Sequence, residues 1–302
     1  MEAATVESHA PELGWPALTS DSYPEPCQMT GVAVAKDGSI LVLNHGENPV
    51  EPQKPFKHEI IQKPGVLVID AKSGKLVRSW GENLFMRPHQ ISVDAEGHVW
   101  IADSGLKKVF KFDALGKPLL EVGGNDVSFN LPTDVAVLSD GTFIVADGAT
   151  NKRGVKFSPE GKVLGDWGLK GPGPIILHTP HSLAVDDADR VYVADREKHW
   201  VQVLNADGEI QATWKKVGAP LSIRYHQGSL YVLSNLSGKR GIVRRFNTEG
   251  DLQESFHTRG LGRIQDYEWP HGLAVSDGGN SIYVGFILTA RRVQRYRRVK
   301  QS

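Results

Sequence analysis

The chain is predicted to fold as an all-β, six-bladed β-propeller. Three observations lead there. A motif recurs six times at intervals of about 40–60 residues, the range of stacked or radial repeat architectures. Each copy opens a series of short strands separated by turn residues. No long segment carries helical periodicity. Gly 32 and Pro 17 in 302 residues agree with many turns.

The first strand of each unit holds one alignable position. It is Thr30 (TGVAV), His89 (HQISV), Thr133 (TDVAV), His181 (HSLAV), Leu221 (LSIRY) and His271 (HGLAV). Turns follow at Asp37-Gly38, Glu96-Gly97, Asp140-Gly141, Asp187-Ala188-Asp189, Gln227-Gly228 and Asp277-Gly278-Gly279, which are hairpin signals. The second strands are ILVLN, VWIAD, FIVAD, VYVAD, LYVLS and IYVGF. The third are GVLVID, KVFKFD, GVKFSP, WVQVLN, IVRRFN and RVQRYR. Valine, isoleucine and aromatics dominate them, as a pleated, half-buried surface favours. Fourth strands follow in five units: LVRSWG, LLEVGG, VLGDWG, IQATWK and LQESFH. Four antiparallel strands repeated radially make a propeller. The sixth unit lacks a fourth strand, so a strand around Leu13–Leu18 is predicted to close the ring and leave no long open edge. The expected organisation is a tail over 1–11 and one propeller domain over 12–302.

Bulk composition excludes some partners. Lys+Arg 35 balances Asp+Glu 35, which disfavours nucleic acid and anionic membranes and leaves a small-molecule substrate as the expected partner. The run Arg291–Arg298 is locally basic and reads as the solvated face of an edge strand. Cys27 is the single cysteine, so no internal disulfide forms. No apolar stretch approaches the roughly 20 residues of a membrane helix. Residues 1–20 carry no apolar signal core, so a cytoplasmic location is expected.

Three copies of the repeat position are Pro-His: Pro88-His89, Pro180-His181 and Pro270-His271. First strands line a propeller's channel, and alternate blades of a six-blade ring lie about 120° apart. Three imidazoles should therefore converge at one channel mouth. That is the donor set of a three-histidine metal site with an open position for substrate. Zinc is the expected ion, although imidazole also suits iron, copper and nickel. The alternative is a wet, metal-free mouth. Long connections at 44–64, 168–179 and 258–269 enlarge the chain near the histidines, and such lengths tend to be functional or disordered. Asp103, Asp147 and Asp195, ending three second strands, read as turn caps.

These residues resemble the peptidyl-α-hydroxyglycine α-amidating lyases, NHL-repeat propellers, from about Gly14 to Arg297. The resemblance is carried by Trp80-Gly81-Glu82-Asn83-Leu84-Phe85, by Pro132-Thr133-Asp134-Val135-Ala136, by Phe157-Ser158-Pro159-Glu160-Gly161-Lys162 and by Ala194-Asp195-Arg196-Glu197. It implies that His89, His181 and His271 bind a catalytic zinc. It also implies cleavage of a carbinolamide to an aldehyde and a free amide.

Departures accompany it. His45 stands where the family has an arginine, which removes a bidentate carboxylate clamp. Ala149 stands where the family has its catalytic tyrosine, which removes a general base. Gly272 stands where the family has an acidic calcium ligand. Arg196 keeps the family's arginine, to orient an anion or to pair with Glu197. His45 reads either as a base near neutral pH or as a solvated loop histidine. Tyr267 and Trp269 read as pocket walls or interblade packing, and Asn44, Glu47, Asn48 and His58 as parts of a lid. Two other readings are a metal-dependent hydrolase or lactonase, whose propellers hold metal with carboxylates and asparagine, and a non-catalytic NHL binding module.

Overall fold

The computed structural model describes residues 8–17, 28–51, 54–124, 127–148, 150–168, 177–236, 240–258, 268–288 and 292–299. The fold is a six-bladed β-propeller, each blade a four-stranded antiparallel sheet. Strand β1 is His9–Pro11. Blade one holds β2 (Met29–Val34), β3 (Ile40–Asn44), β4 (Val66–Ile69) and β5 (Leu76–Trp80). Blade two holds β6 (Pro88–Val93), β7 (Val99–Asp103), β8 (Lys108–Phe112) and β9 (Pro118–Gly123). Blade three holds β10 (Pro132–Val137), β11 (Phe143–Asp147), β12 (Arg153–Phe157) and β13 (Val163–Gly168). Blade four holds β14 (Pro180–Val185), β15 (Val191–Asp195), β16 (Trp200–Leu204) and β17 (Ile210–Lys215). Blade five holds β18 (Ala219–His226), β19 (Ser229–Leu236), β20 (Arg240–Asn247) and β21 (Leu252–Thr258). Blade six holds β22 (Glu268–Ser276), β23 (Ser281–Leu288) and β24 (Val293–Arg298), with β1 as its fourth strand. Among the described residues the only helical element is a 3-10 turn at Asp277–Gly279. No helix there is long and apolar enough to cross a membrane.

The core is divided. Six apolar clusters each join two neighbouring blades, from Leu43, Ile91 and Phe112 between blades one and two to Val32, Ala274 and Tyr283 between blades six and one. Both faces of every sheet are therefore covered, which is why the second strands are buried along their whole length instead of alternating. Each fully buried Val, Leu, Ile or Phe contributes about 1.5–3 kcal/mol. Glycines let blades approach closely. At Gly272 an added Cβ would lie 2.8 Å from Gly31 Cα and from Thr30 O, so blade six meets blade one backbone to backbone. The acidic side chain that the resemblance places there does not fit this geometry.

Ring closure is tighter and earlier than expected. The closing strand is β1, not the segment around Leu13–Leu18, with His9 opposite Arg298 and Pro11 opposite Tyr296. The expected tail over 1–11 thus contributes its last three residues to the propeller. Leu13–Ala17 instead follows as an anchor, with Trp15 buried against Tyr283 at 5.1 Å. The basic run also differs from expectation. Strand β24 has partners on both sides. Arg295, 2% exposed, forms a bidentate pair with Glu12 at 2.6 and 2.7 Å. Arg297 pairs with Glu12 and Asp277, and Arg298 with Glu254. These pairs fasten the closure; Arg295 is buried, while Arg297 and Arg298 are exposed as expected, but on a strand paired on both sides and not on an open edge.

His9 makes this closure sensitive to acid. Its Nε2–H donates to Gly279 O at 2.8 Å, leaving Nδ1 to accept from Ser8 Oγ at 2.9 Å. Burial, above all, lowers its pKa below the ordinary 6.5. The unfolded chain therefore takes up this proton first as pH falls. The stability tied to neutral His9 is intact above about 6.5 and drains as pH drops toward the folded value. His9→Gln is expected to flatten the fall of melting temperature between about pH 7 and pH 5 relative to the parent. Equal slopes in thermal melts across that window would show that His9 makes no such contribution.

Candidate metal centre

The first strands explain how the histidines reach the axis. Every one carries a β-bulge at the repeat position. Pro88 pairs with Asp103 and Gln90 with Ala102, so His89 is the extra residue. The same irregularity places Thr133, His181, Leu221 and His271 as extra residues, and falls between Met29 and Val32 in blade one. A bulge bends the strand and re-aims its side chain. In five blades proline precedes it, which has no N–H to lose from the ladder. The aspartates are structural: Asp103 caps the turn that follows it through Gly105 N and Leu106 N, and all three hold the segment that enters the first strand of their blade. Asp103 accepts Met86 N and Arg87 N, Asp147 accepts Asn130 N and Leu131 N, and Asp195 accepts His178 N and Thr179 N.

The three histidines meet. Their ring centroids are 4.8, 4.7 and 5.1 Å apart, and one ring nitrogen from each falls within 4.8 Å of the other two. No carboxylate belongs to this cluster among the described residues. His181 and His271 are buried, while His89 is partly open. Each Nδ1–H donates to the bulge carbonyl of the next blade: His89 to Thr133 O at 2.9 Å, His181 to Leu221 O at 2.7 Å and His271 to Thr30 O at 2.7 Å. The odd blades answer in part, with Thr30 Oγ1–H donating to Pro88 O and Thr133 Oγ1–H to Pro180 O, each at 2.8 Å. This ring of hydrogen bonds fixes the tautomer and leaves Nε2 as the free lone pair of every imidazole.

All three imidazoles are neutral at neutral pH. Burial lowers His271 to about 4, with the charges of Arg196 and Arg87 adding to the effect. His89 and His181 lie well below the usual imidazole range, again from burial first and then from their histidine neighbours. Neutral imidazoles with a shared open side and carbonyl-bound Nδ1–H groups are the chemistry a zinc-type ion requires. The residues present fit such an ion.

His45 lies beside this centre and is buried, 2% exposed, which corrects its reading as a solvated loop residue. An Asx turn places it: Asn44 Oδ1 accepts Gly46 N at 2.8 Å. His45 Nε2–H donates to Pro88 O at 2.9 Å, and its buried Nδ1 has no partner in the structure. Burial pushes it down to about 3, with Arg87 and His271 contributing. It is thus a neutral acceptor at pH 7, not a group titrating near neutrality. Of the two expected roles of Arg196, the structure shows the pairing with Glu197. Its Nε and Nη2 donate to Glu197 Oε1 at 3.1 and 3.0 Å, while its charge reaches His181 and His271. Asn48 and Glu47 bond loop backbone at Glu59 and Gln62, so their polar groups hold the long first-blade loop in place. Trp269 lies in β22 opposite Ile287. Ala149 and Tyr267, and most of the 168–179 and 258–269 loops, fall outside the described residues.

Comparison with known proteins agrees with the geometry. The NHL repeat is matched at residues 177–204. Peptidyl-alpha-hydroxyglycine alpha-amidating lyase 2 of Drosophila melanogaster is 29% identical over 293 residues, covering 89% of this chain and 70% of its own length. Peptidylglycine alpha-amidating monooxygenase of Rattus norvegicus is 31% identical over 306 residues, covering 91% of this chain and 30% of its own. The chain resembles the amidating lyases over most of its length and is consistent with the lyase-like NHL propellers. It spans about a third of the length of the vertebrate relatives it matches. A streptogramin B lyase structure superposes at a TM-score of 0.60 and 11% identity, covering 92% of this chain and 96% of that one, which shows a shared fold.

The sequence did not disclose two arginines of this lyase-like propeller. Arg87 precedes Pro88; it is half-buried, and its charge bears on His45, His89 and His271. Arg224 lies on the inner strand of blade five and crosses the channel. Its Nη1–H donates to Asp134 Oδ2 at 2.9 Å and Ser182 Oγ at 3.0 Å. Its Nη2–H donates to Gln90 Oε1 and Ile91 O, both at 3.2 Å. Gln90 Nε2–H in turn donates to His271 O at 3.2 Å, tying this cross-channel network to the histidine centre. At the opposite end of the inner strands a cavity of about 580 Å³ includes Asp94, Asp187, Arg224 and Tyr225 in its walls.

Proposed function

We propose that this chain is a metal-dependent, amidating-lyase-like enzyme, with zinc on His89, His181 and His271, that cleaves the C–N bond of a small carbinolamide or related hydroxylated amide. The observation that carries the reading is the convergence of three neutral imidazoles whose Nδ1–H groups are all bound to carbonyls. The enzyme class agrees with the lyases among its relatives. A bound ion would supply Lewis acidity toward a substrate hydroxyl, lowering its pKa.

The chain's own residues supply the rest. Pro88 O holds the Nε2–H of His45, so Nδ1 is the atom available to receive the hydroxyl proton. As the C–O⁻ electron pair forms the aldehyde carbonyl, the C–N bond breaks and the nitrogen takes a proton to give the free amide. Overall, one proton moves from oxygen to nitrogen and no oxidant is consumed. His45 is a weak base in its buried setting, and that favours return of the proton to the leaving nitrogen. Arg196, anchored on Glu197, sets a positive charge beside His181 and His271, suited to orienting an anionic group.

The test is turnover of an N-acyl-α-hydroxyglycine by protein purified with added zinc, followed by release of the primary amide. Stoichiometric zinc and amide release above the uncatalysed rate are expected. A zinc-loaded protein that leaves the carbinolamide intact would remove the lyase reading while leaving the metal centre standing.

A further inference from the structure

We propose that the guanidinium of Arg224 is a built-in cation standing in place of a calcium ion in the channel, so that this propeller is closed beneath its histidines without calcium. The inference goes beyond the catalytic reading and does not depend on it. The resemblance implies an acidic calcium ligand at position 272, and the residues present do not fit that ion.

The misfit has two parts. Gly272 offers no side-chain oxygen, and its surroundings leave no room for one. An added Cβ would lie 2.8 Å from Gly31 Cα and Thr30 O and 2.9 Å from Val32 N. The second part is Arg224. The bulges set Gln90, Asp134, Ser182 and Gly272 at one repeat position, opposite Ala102, Ala146, Ala194 and Gly285 of their second strands. Gly272 therefore shares a channel layer with Gln90, Asp134 and Ser182, and the guanidinium fills that layer. Its Nη1–H groups donate to Ile223 O at 2.8 Å, Asp134 Oδ2 at 2.9 Å, Ser182 Oγ at 3.0 Å and Leu183 O at 3.5 Å. Its Nη2–H groups donate to Gln90 Oε1 and Ile91 O, both at 3.2 Å.

These acceptors are oxygens of blades two, three, four and five: a carboxylate, an amide, a hydroxyl and three main-chain carbonyls. An all-oxygen set of that kind suits a hard cation such as calcium, which takes its ligands at about 2.3–2.6 Å. Here the oxygens stand around two nitrogens at N–H···O distances, so the cage is cut to a planar guanidinium. The charge also balances once. Asp134, 1% exposed, is the single carboxylate of the cage. Its Oδ1 accepts Val135 N at 2.9 Å, and its Oδ2 accepts Leu183 N at 3.1 Å besides Ser182 and Arg224. One carboxylate offsets one guanidinium. A divalent ion beside Arg224 would leave buried positive charge uncompensated, which is costly. A side chain, unlike an ion, cannot dissociate, so this closure needs no calcium supply.

The test is thermal melting and calcium analysis by mass spectrometry of the parent, Arg224→Gly and Arg224→Gly/Asp134→Asn. All are kept at one fixed zinc concentration, with and without millimolar calcium chloride. The parent is expected to hold no stoichiometric calcium and to shift by less than about 1 °C on its addition. Arg224→Gly should melt about 5–10 °C lower without calcium, because Asp134 is left unpaired. It should then bind one calcium in the emptied cage and recover about half of that loss. The double variant lacks the carboxylate and should show no recovery. A parent carrying stoichiometric calcium would overturn the inference, as would an Arg224→Gly variant whose melting calcium does not raise. Equal calcium responses in the single and double variants would place the ion outside the cage and overturn it too. Should Arg224→Gly fail to fold, Arg224→Lys serves with the parent. It keeps the charge, so calcium-insensitive melting below that of the parent supports the built-in cation, and stabilisation by calcium contradicts it.

Discussion

His181→Ala is expected to lose stoichiometric metal and to reduce lyase turnover by about three orders of magnitude or more, since metal-ion catalysis contributes several kcal/mol to the transition state. His89→Ala and His271→Ala should behave alike, because the three rings form a nearly equilateral group and each is held through Nδ1 by a carbonyl of the neighbouring blade. Removing one ring leaves two donors and a gap in the cage. His181→Ala is the most informative variant. Its ring is held by Leu221 O of blade five, so the variant removes one donor while leaving the His45 contact with Pro88 in place. Metal analysis by mass spectrometry, with turnover measured on the same preparations, reads both effects. Retention of full metal in all three variants would place the ion elsewhere.

Asp134→Ala is expected to lower stability by about 3–5 kcal/mol, the scale for stripping one partner from a buried ion pair. The Asp134 side chain is 1% exposed and that of Arg224 15%. Asp134 Oδ2 accepts from Arg224, from Ser182 Oγ at 2.6 Å and from Leu183 N at 3.1 Å, so it joins blades three, four and five. Arg224 carries the network across the channel to blade two. Without Asp134 this cation stays inside the ring with neutral acceptors alone. Arg224→Met should cost a comparable amount by leaving the carboxylate unpaired. The double variant Asp134→Leu/Arg224→Met should fall well short of the sum, because the second change removes the charge that the first one strands. Denaturant unfolding monitored by tryptophan fluorescence distinguishes this from additive losses. Since Gln90 connects Arg224 to the His271 carbonyl, weaker metal retention should accompany the single changes.

The propeller was legible because its signals are local: turn residues, short apolar strands and a regular interval. The histidine cluster was legible because blade symmetry turns spacing along the chain into convergence on the axis. The misreadings have a common origin. His9-Ala10-Pro11 carries no strand pattern of its own; its pairing is specified by β24 and by the grip of Arg295 on Glu12, 283 residues away in sequence. Arg295 reads as solvated for the same reason, since Glu12, which pairs with it, lies at the other end of the chain. His45 is held by Pro88, 43 residues on, and burial, which no local signal discloses, keeps it neutral. Arg224 gains its role only when the ring brings Gln90, 134 residues distant, across the channel.

The central claim is that His89, His181 and His271 hold one catalytic ion. Anomalous diffraction from zinc-supplemented crystals, collected on both sides of the zinc absorption edge, addresses it directly. The expected result is one edge-dependent peak bonded to the three Nε2 atoms at about 2.0–2.1 Å. A featureless map among the three rings, or a peak on other ligands, would contradict it.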